Sequence, residues 1–172
     1  MVKELRIGEP APDFLLPSVN GGPVTLNDFK GRWMILYFYP KDNTPGCTIQ
    51  AKEFTAELKE LEDMNAVVLG ISSDSQKSHL KFSKDHSLGI TLLSDKKREV
   101  MEDYGVWKKK KIFGKVRESI VRTTFIIDPD GNIARAWYGV KAEGNAQKAK
   151  ETLQKLQKGS YSFSDVRTNG EE

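Results

Sequence analysis

Seven consecutive apolar or aromatic residues, Trp33-Met34-Ile35-Leu36-Tyr37-Phe38-Tyr39, are stopped at once by Pro40. The run is far shorter than the roughly 20 residues that span a bilayer. It shows no alternation of apolar and polar positions. A strand that is apolar on both sides needs cover on both sides, so helices must pack against each face of its sheet. Ala66-Val67-Val68-Leu69-Gly70-Ile71 is a second run of the same kind. Together they call for a layered α/β fold.

The segments around these runs fit that plan. A helix is predicted from about Pro45 to Met64, where Ala51, Phe54, Leu58 and Leu61 recur at three- and four-residue steps and form one apolar stripe. Ser75 to His86 reads as a helix with a weaker pattern, Thr91 to Leu93 as a short strand and Lys97 to Tyr104 as a short helix. Val121 to Ile127 reads as a strand. The turn Asp128-Pro129-Asp130-Gly131-Asn132 returns the chain into Ile133 to Tyr138 as its hairpin partner. Ala146, Ala149, Leu153 and Leu156 mark a closing amphipathic helix. Upstream, Phe14-Leu15-Leu16 and Val24-Thr25-Leu26 flank the turn residues Asn20-Gly21-Gly22-Pro23 and read as an edge hairpin. The order is βαβαβαββα after that hairpin. It predicts a thioredoxin-like α/β fold, a mixed central sheet flanked by helices with an N-terminal β-hairpin extension. One domain is expected over residues 1–158, with a polar tail over 159–172.

Charge excludes some functions. The net charge of +3 is too small to argue for nucleic acid. Lys108 to Lys111, Lys115 and Arg117 make one basic stretch with Trp107 and Phe113, and the segment from Trp107 to Arg117 reads as a solvated loop ahead of the alternative, a patch for nucleic acid or an acidic partner. The amino terminus has no apolar signal core and no run is long enough for a membrane span, so a cytoplasmic protein is expected.

The chain has one cysteine, Cys47. An intramolecular disulfide, CxxC exchange and multi-cysteine zinc sites are therefore excluded. A buried inert thiol, a reactive thiol and an intermolecular bond stay open. Context favours reactivity. Thr44 stands as a helix N-cap and Pro45 as the first helical residue, which puts Cys47 in the first turn. Unpaired N–H groups and the helix dipole there favour an anion. The loop also leaves the carboxyl end of a buried strand, where α/β folds tend to build sites. The two histidines, His79 and His86, lie seven apart on a predicted helix without further ligands nearby in sequence, and read as packing or surface residues. No cofactor or metal is expected.

Pro40-x-x-x-Thr44-x-x-Cys47 resembles the peroxiredoxin active-site motif. The longer string Phe38-Tyr39-Pro40 to Thr44-Pro45-Gly46-Cys47-Thr48 resembles the BCP/PrxQ (bacterioferritin comigratory protein) subfamily. Ala11-Pro12-Asp13-Phe14 and Arg122-Thr123-Thr124-Phe125-Ile126-Ile127-Asp128 add to the likeness, which covers about residues 4 to 157. The resemblance implies a thiol peroxidase in which Cys47 attacks a peroxide and becomes a sulfenic acid. It implies that Arg122 comes close to Cys47 and steadies both thiolate and leaving group. It further implies that Pro40 covers the site, and that the segment from Trp107 to Arg117 borders the active-site side, where a surface that steers a reductant is a further alternative to the solvated loop. The Thr44 hydroxyl can donate to thiolate or peroxide, although helix capping competes for it. N–H groups near Gly46 and Cys47 can bind a peroxide oxygen.

Many relatives carry a resolving cysteine, either five residues after the nucleophile or in the next helix. Lys52 and Ser83 occupy those positions here, so the chain resembles the one-cysteine form. Recycling then needs an external thiol such as thioredoxin, glutaredoxin or glutathione, with the protein a monomer or weak homodimer. The rival class is a peroxide-sensing thiol switch with little turnover.

Overall fold

A computed structural model describes residues 3–159. Residues 1–2 and the expected tail beyond Gly159 lie outside the described residues. The chain opens with a small hairpin, β1 (Leu15–Pro17) and β2 (Pro23–Thr25), followed by a 3₁₀ turn over Leu26–Phe29. Then come β3 (Trp33–Phe38), α1 (Pro45–Asp63), β4 (Ala66–Ser72), α2 (Gln76–His86), β5 (Thr91–Ser94) and α3 (Glu99–Asp103). The second half is β6 (Trp107–Ile112), β7 (Lys115–Ile120), β8 (Thr123–Ile127), β9 (Ile133–Tyr138) and α4 (Asn145–Lys158).

The central sheet has the order β5-β4-β3-β8-β9. β3, β4 and β5 run parallel, while β8 enters antiparallel to β3 and β9 antiparallel to β8. This is the mixed sheet expected from the βαβ units and the closing hairpin. The apolar runs fill its middle: from Met34 to Tyr39 and from Ala66 to Ser72 every residue is buried. Side chains alternate between two cores. Ile35, Tyr37 and Tyr39 face Ala51, Phe54 and Leu61 of α1 and Ala149 and Leu153 of α4. Met34, Leu36 and Phe38 face Val100, Met101, Tyr104 and Phe125 on the other side. The N-terminal hairpin docks at the β5 edge, where Val19 N–H donates to the Leu92 carbonyl at 2.9 Å. Among the described residues no helix is long and apolar enough to cross a membrane.

One expectation is corrected. The segment from Trp107 to Arg117 is not a loop but the hairpin β6–β7, paired from Trp107↔Ile120 to Ile112↔Lys115. Its turn uses Phe113 (φ 52) and Gly114 (φ 77). Two consecutive positive φ values are what a tight two-residue hairpin turn requires. The strands are largely exposed, so neither needs an alternating apolar face, and the pattern that would reveal them is missing.

Gly70 decides how Tyr37 packs. A Cβ there would lie 2.9 Å from Tyr37 Cζ and 3.0 Å from Leu92 Cδ2. The phenol ring instead lies over the glycine and stacks on Phe54, with centroids 4.8 Å apart. Gly70→Ala should therefore cost about 1–3 kcal/mol through overpacking of a filled core. Chemical denaturation checks this, and an unchanged midpoint would show that the core yields there.

Candidate active site

The site forms where β3 ends and β8 begins, because the antiparallel entry of β8 brings its first residues to the carboxyl end of β3. Phe38 pairs with Thr123, so Arg122, one residue before β8, stands beside the loop that leads into α1. Thr44 is extended (φ −88, ψ 154) and Pro45 opens the helix, as the sequence requires. The first intrahelical bond runs from Thr48 N–H to the Thr44 carbonyl at 2.9 Å. The N–H groups of Gly46 and Cys47 precede that bond and point out of the helix end.

Cys47 is buried, with 1% of its surface exposed. Arg122 Nη2 donates to its Sγ at 3.3 Å. A permanent cation and a helix N-terminus thus meet at one sulfur. Gly46 makes the approach possible, since a Cβ there would lie 3.2 Å from Arg122 Nη2 and 3.7 Å from Ala142 Cβ. Arg122 is itself steadied. Its Nη1 donates to Gln50 Oε1 at 2.6 Å, and Gln50 Nε2 donates to Asn145 Oδ1 at 2.9 Å. Thr124 Oγ1 donates to the same Asn145 oxygen at 2.8 Å. Gln50, Thr124 and Asn145 are buried and tie α1, β8 and α4 to the guanidinium.

The other expected residues are placed as follows. Thr44 sits at the N-cap, yet its hydroxyl does not cap the helix. Oγ1 donates instead to the Lys41 carbonyl at 2.8 Å. With its hydrogen committed, the oxygen's lone pairs are left to accept. Pro40 lies two residues beyond β3 and is exposed. Lys52 is exposed on α1. Ser83 Oγ is buried and has no hydrogen-bond partner among the described residues.

The two histidines divide into one buried and one half-buried residue, and each has a polar partner on the loop before α1. His79 is fully buried, with Nδ1 2.8 Å from Asp42 Oδ2, and His86 Nε2 lies 2.9 Å from Asn43 Oδ1. Asp42, Asp74 and His79 are the one group among the described residues whose ligand atoms, all within 4.8 Å of one another, have metal-like spacing. Those atoms are engaged in hydrogen bonds with each other and with neighbouring hydroxyls.

Sequence reasoning missed Gln50, Thr124, Asn145, Asp42 and Tyr37. Gln50 carried a signal: it is a polar residue one position from Ala51 on a helix whose buried stripe should be apolar. Tyr37 carried none. Its hydroxyl is buried without a hydrogen-bond partner among the described residues. Burial and the nearby Cys47 push that phenol well above its usual range, so it stays protonated.

Comparison with known proteins places this geometry. The AhpC/TSA family model matches residues 7–136. A putative peroxiredoxin bcp of Helicobacter pylori is 44% identical over 152 residues, which is 88% of this chain and 100% of that protein. Peroxiredoxin Bcp of Bacillus subtilis is 41% identical over 88% of this chain and 97% of its own length. Among solved structures, the bacterioferritin comigratory protein of Xanthomonas campestris, described for its alkyl peroxide reduction activity, superposes with a TM-score of 0.81. It is 37% identical, over 83% of this chain and 90% of that one.

Gln50→Leu keeps the volume and removes both of the side chain's hydrogen bonds. It should destabilise the protein by about 1–3 kcal/mol, because buried polar groups of Arg122 and Asn145 lose their partner. Alkylation of Cys47 should slow as the guanidinium loosens. Denaturation together with timed labelling measures both, and a labelling rate equal to that of the parent would dissociate Gln50 from the thiol.

Proposed function

This chain belongs to the AhpC/TSA family, in its Bcp (PrxQ) branch of peroxiredoxins, and from that premise we propose a peroxidase cycle run by Cys47 with Arg122, Thr44, Gly46 and Pro40. The observation that carries it is the 3.3 Å contact between Arg122 Nη2 and Cys47 Sγ at a helix N-terminus. The thiolate sulfur attacks one oxygen of ROOH. The S–O bond forms as the O–O bond breaks, and the leaving RO⁻ takes up a proton to give ROH. Negative charge moves from sulfur to the departing oxygen, and Arg122 lies beside both. The N–H groups of Gly46 and Cys47 add fixed donors. The lone pairs of Thr44 accept the hydrogen of the peroxide, which orients it for attack. Pro40 shields one side of the loop.

Cys47 is left as a sulfenic acid. An external thiol then attacks the sulfur, releasing water and forming a mixed disulfide, and a second thiol frees Cys47. The sum is ROOH plus two thiols giving ROH, water and a disulfide. Cys47 is the chain's sole cysteine, so no internal thiol competes for the sulfenic acid. Both hydrogen peroxide and organic hydroperoxides suit the reading, the latter by analogy with the Xanthomonas relative. Thioredoxin, glutaredoxin and glutathione are the candidate donors. A reducing compartment such as the cytoplasm supplies them. Every residue of the proposed set comes from one chain, so a monomer suffices.

Steady-state turnover with a panel of donors tests the cycle. Cys47→Ser should abolish peroxide consumption, and retained activity would overturn the scheme. Arg122→Gln should slow Cys47 oxidation by about 10²–10³, the usual effect of removing one donor aimed at developing charge. A sulfenate-specific reagent should trap Cys47 after one equivalent of peroxide when no donor is present. Turnover that ends at one equivalent with every donor would favour the sensing role.

The β6–β7 hairpin supports a reading of how a protein donor is met. Its exposed tip, Phe113 at 100% exposure, is flanked by Lys109, Lys111, Lys115 and Arg117. β7 ends two residues before Arg122. A donor with an acidic face would be steered there, and steering is screened by salt. Turnover with a protein donor should then fall by about tenfold between low and high ionic strength, while turnover with a small neutral dithiol stays constant. Equal salt profiles would remove the hairpin from recycling.

A further inference from the structure

Both histidines lie on α2, and both reach out of it to the loop that carries the chain from β3 into α1. His79 Nε2 lies 3.0 Å from the Leu93 carbonyl, which can only accept, so Nε2 holds a hydrogen. Nδ1 lies 2.8 Å from Asp42 Oδ2, within hydrogen-bond distance. The same carboxylate accepts from Tyr39 Oη at 2.6 Å and from Ser78 Oγ at 2.8 Å. The Asp42 N–H donates to Asp74 Oδ2 at 2.8 Å, and Ser72 Oγ donates to that oxygen as well. The next residue, Asn43, has a left-handed φ of 60 and meets His86. The loop then closes on itself through Thr44 Oγ1 and the Lys41 carbonyl.

This is a costly way to fasten a loop if fastening were its only role. Burying a carboxylate and an imidazole carries a desolvation penalty that apolar side chains avoid. A saturated hydrogen-bond network supplies something apolar contacts do not: one fixed set of angles. The residues so fixed are Asp42 and Asn43, which separate Lys41 from Thr44. The direction of the Thr44 lone pairs depends on where the Lys41 carbonyl sits, and that carbonyl belongs to the peptide of Asp42.

We propose that His79 and His86 are positioning residues for the peroxide step, holding the 41–44 loop through Asp42 and Asn43 so that Thr44 is aimed at the substrate. The proposal rests on the reading that Thr44 binds the peroxide. Neither histidine is hydrogen-bonded to Cys47 or Arg122, and the loop is the route by which both would reach the site.

Two rates at Cys47 separate the cases: oxidation by hydrogen peroxide, which uses Thr44, and alkylation by iodoacetamide, which reads the thiolate without it. Thr44→Val should slow oxidation and spare alkylation. If it slows neither, the reading of Thr44 fails and the proposal with it. His79→Gln should slow oxidation by about 10–100-fold, as misplacement of a reacting group does, with alkylation changed less than about twofold. Added to Thr44→Val, it should cause no further loss, because both act on one element. If Thr44→Val slows oxidation while His79→Gln does not, the proposal alone is overturned. Equal slowing of both rates, or additive losses, overturns it too. Should His79→Gln fail to fold, His86→Ala, at a half-buried position, replaces it under the same comparison with an expected loss of several-fold. Parent rates in folded His86→Ala would then overturn the proposal.

Discussion

A guanidinium can stand against a buried sulfur only if its other donors are satisfied. Gln50 accepts from one of them, Nη1 of Arg122, and much of the architecture follows from it. Gln50 must itself be buried, so its own amide needs a partner, and Asn145 at the start of α4 provides one. Asn145 in turn takes the Thr124 hydroxyl from the central sheet. The chain of contacts crosses three elements that meet only because β8 runs antiparallel to β3. Had β8 joined as a parallel strand, its first residue would lie at the opposite end of the sheet from α1. The strand direction is what brings Arg122 to this thiol at a helix start.

Much of the fold was legible because it is written in periodicity. The two continuous apolar runs could only be central strands, and the stripe through Ala51, Phe54 and Leu61 could only be a helix facing them. The failure at Trp107–Arg117 has the same root. An exposed hairpin buries no face, so its side chains obey no period, and its positive-φ turn is built on Phe113 rather than on the Asn or Asp that usually signals one. At the site, Cys47, Thr44 and Gly46 were readable from the order Thr-Pro-Gly-Cys, which is local. Arg122 was readable only through family resemblance, since 75 residues separate it from Cys47. The partners of His79 and His86 were not readable, because what a histidine's two nitrogens face is recorded by nothing in spacing.

The structure also redistributes the role of Thr44. Its sequence position suggested a contest between capping the helix and serving the reaction. The hydroxyl does neither capping nor donation to the sulfur; it turns back to the Lys41 carbonyl. A donor satisfied inside its own loop becomes a pure acceptor. That converts an ambiguous residue into one with a defined polarity toward anything that enters beside Cys47.

Ser83 closes the account of the second thiol. Its oxygen is buried and has no hydrogen-bond partner among the described residues. Polar atoms are seldom left this way, because water lost on burial is normally replaced. A site that offers oxygen no partner costs a hydroxyl its lost water, and sulfur, a weak hydrogen-bonding atom, would lose less there. The backbone thus holds a place for a side chain of this volume whose terminal atom need not hydrogen-bond. Serine and cysteine at this position would differ by one atom, and the scaffold around it would be the same.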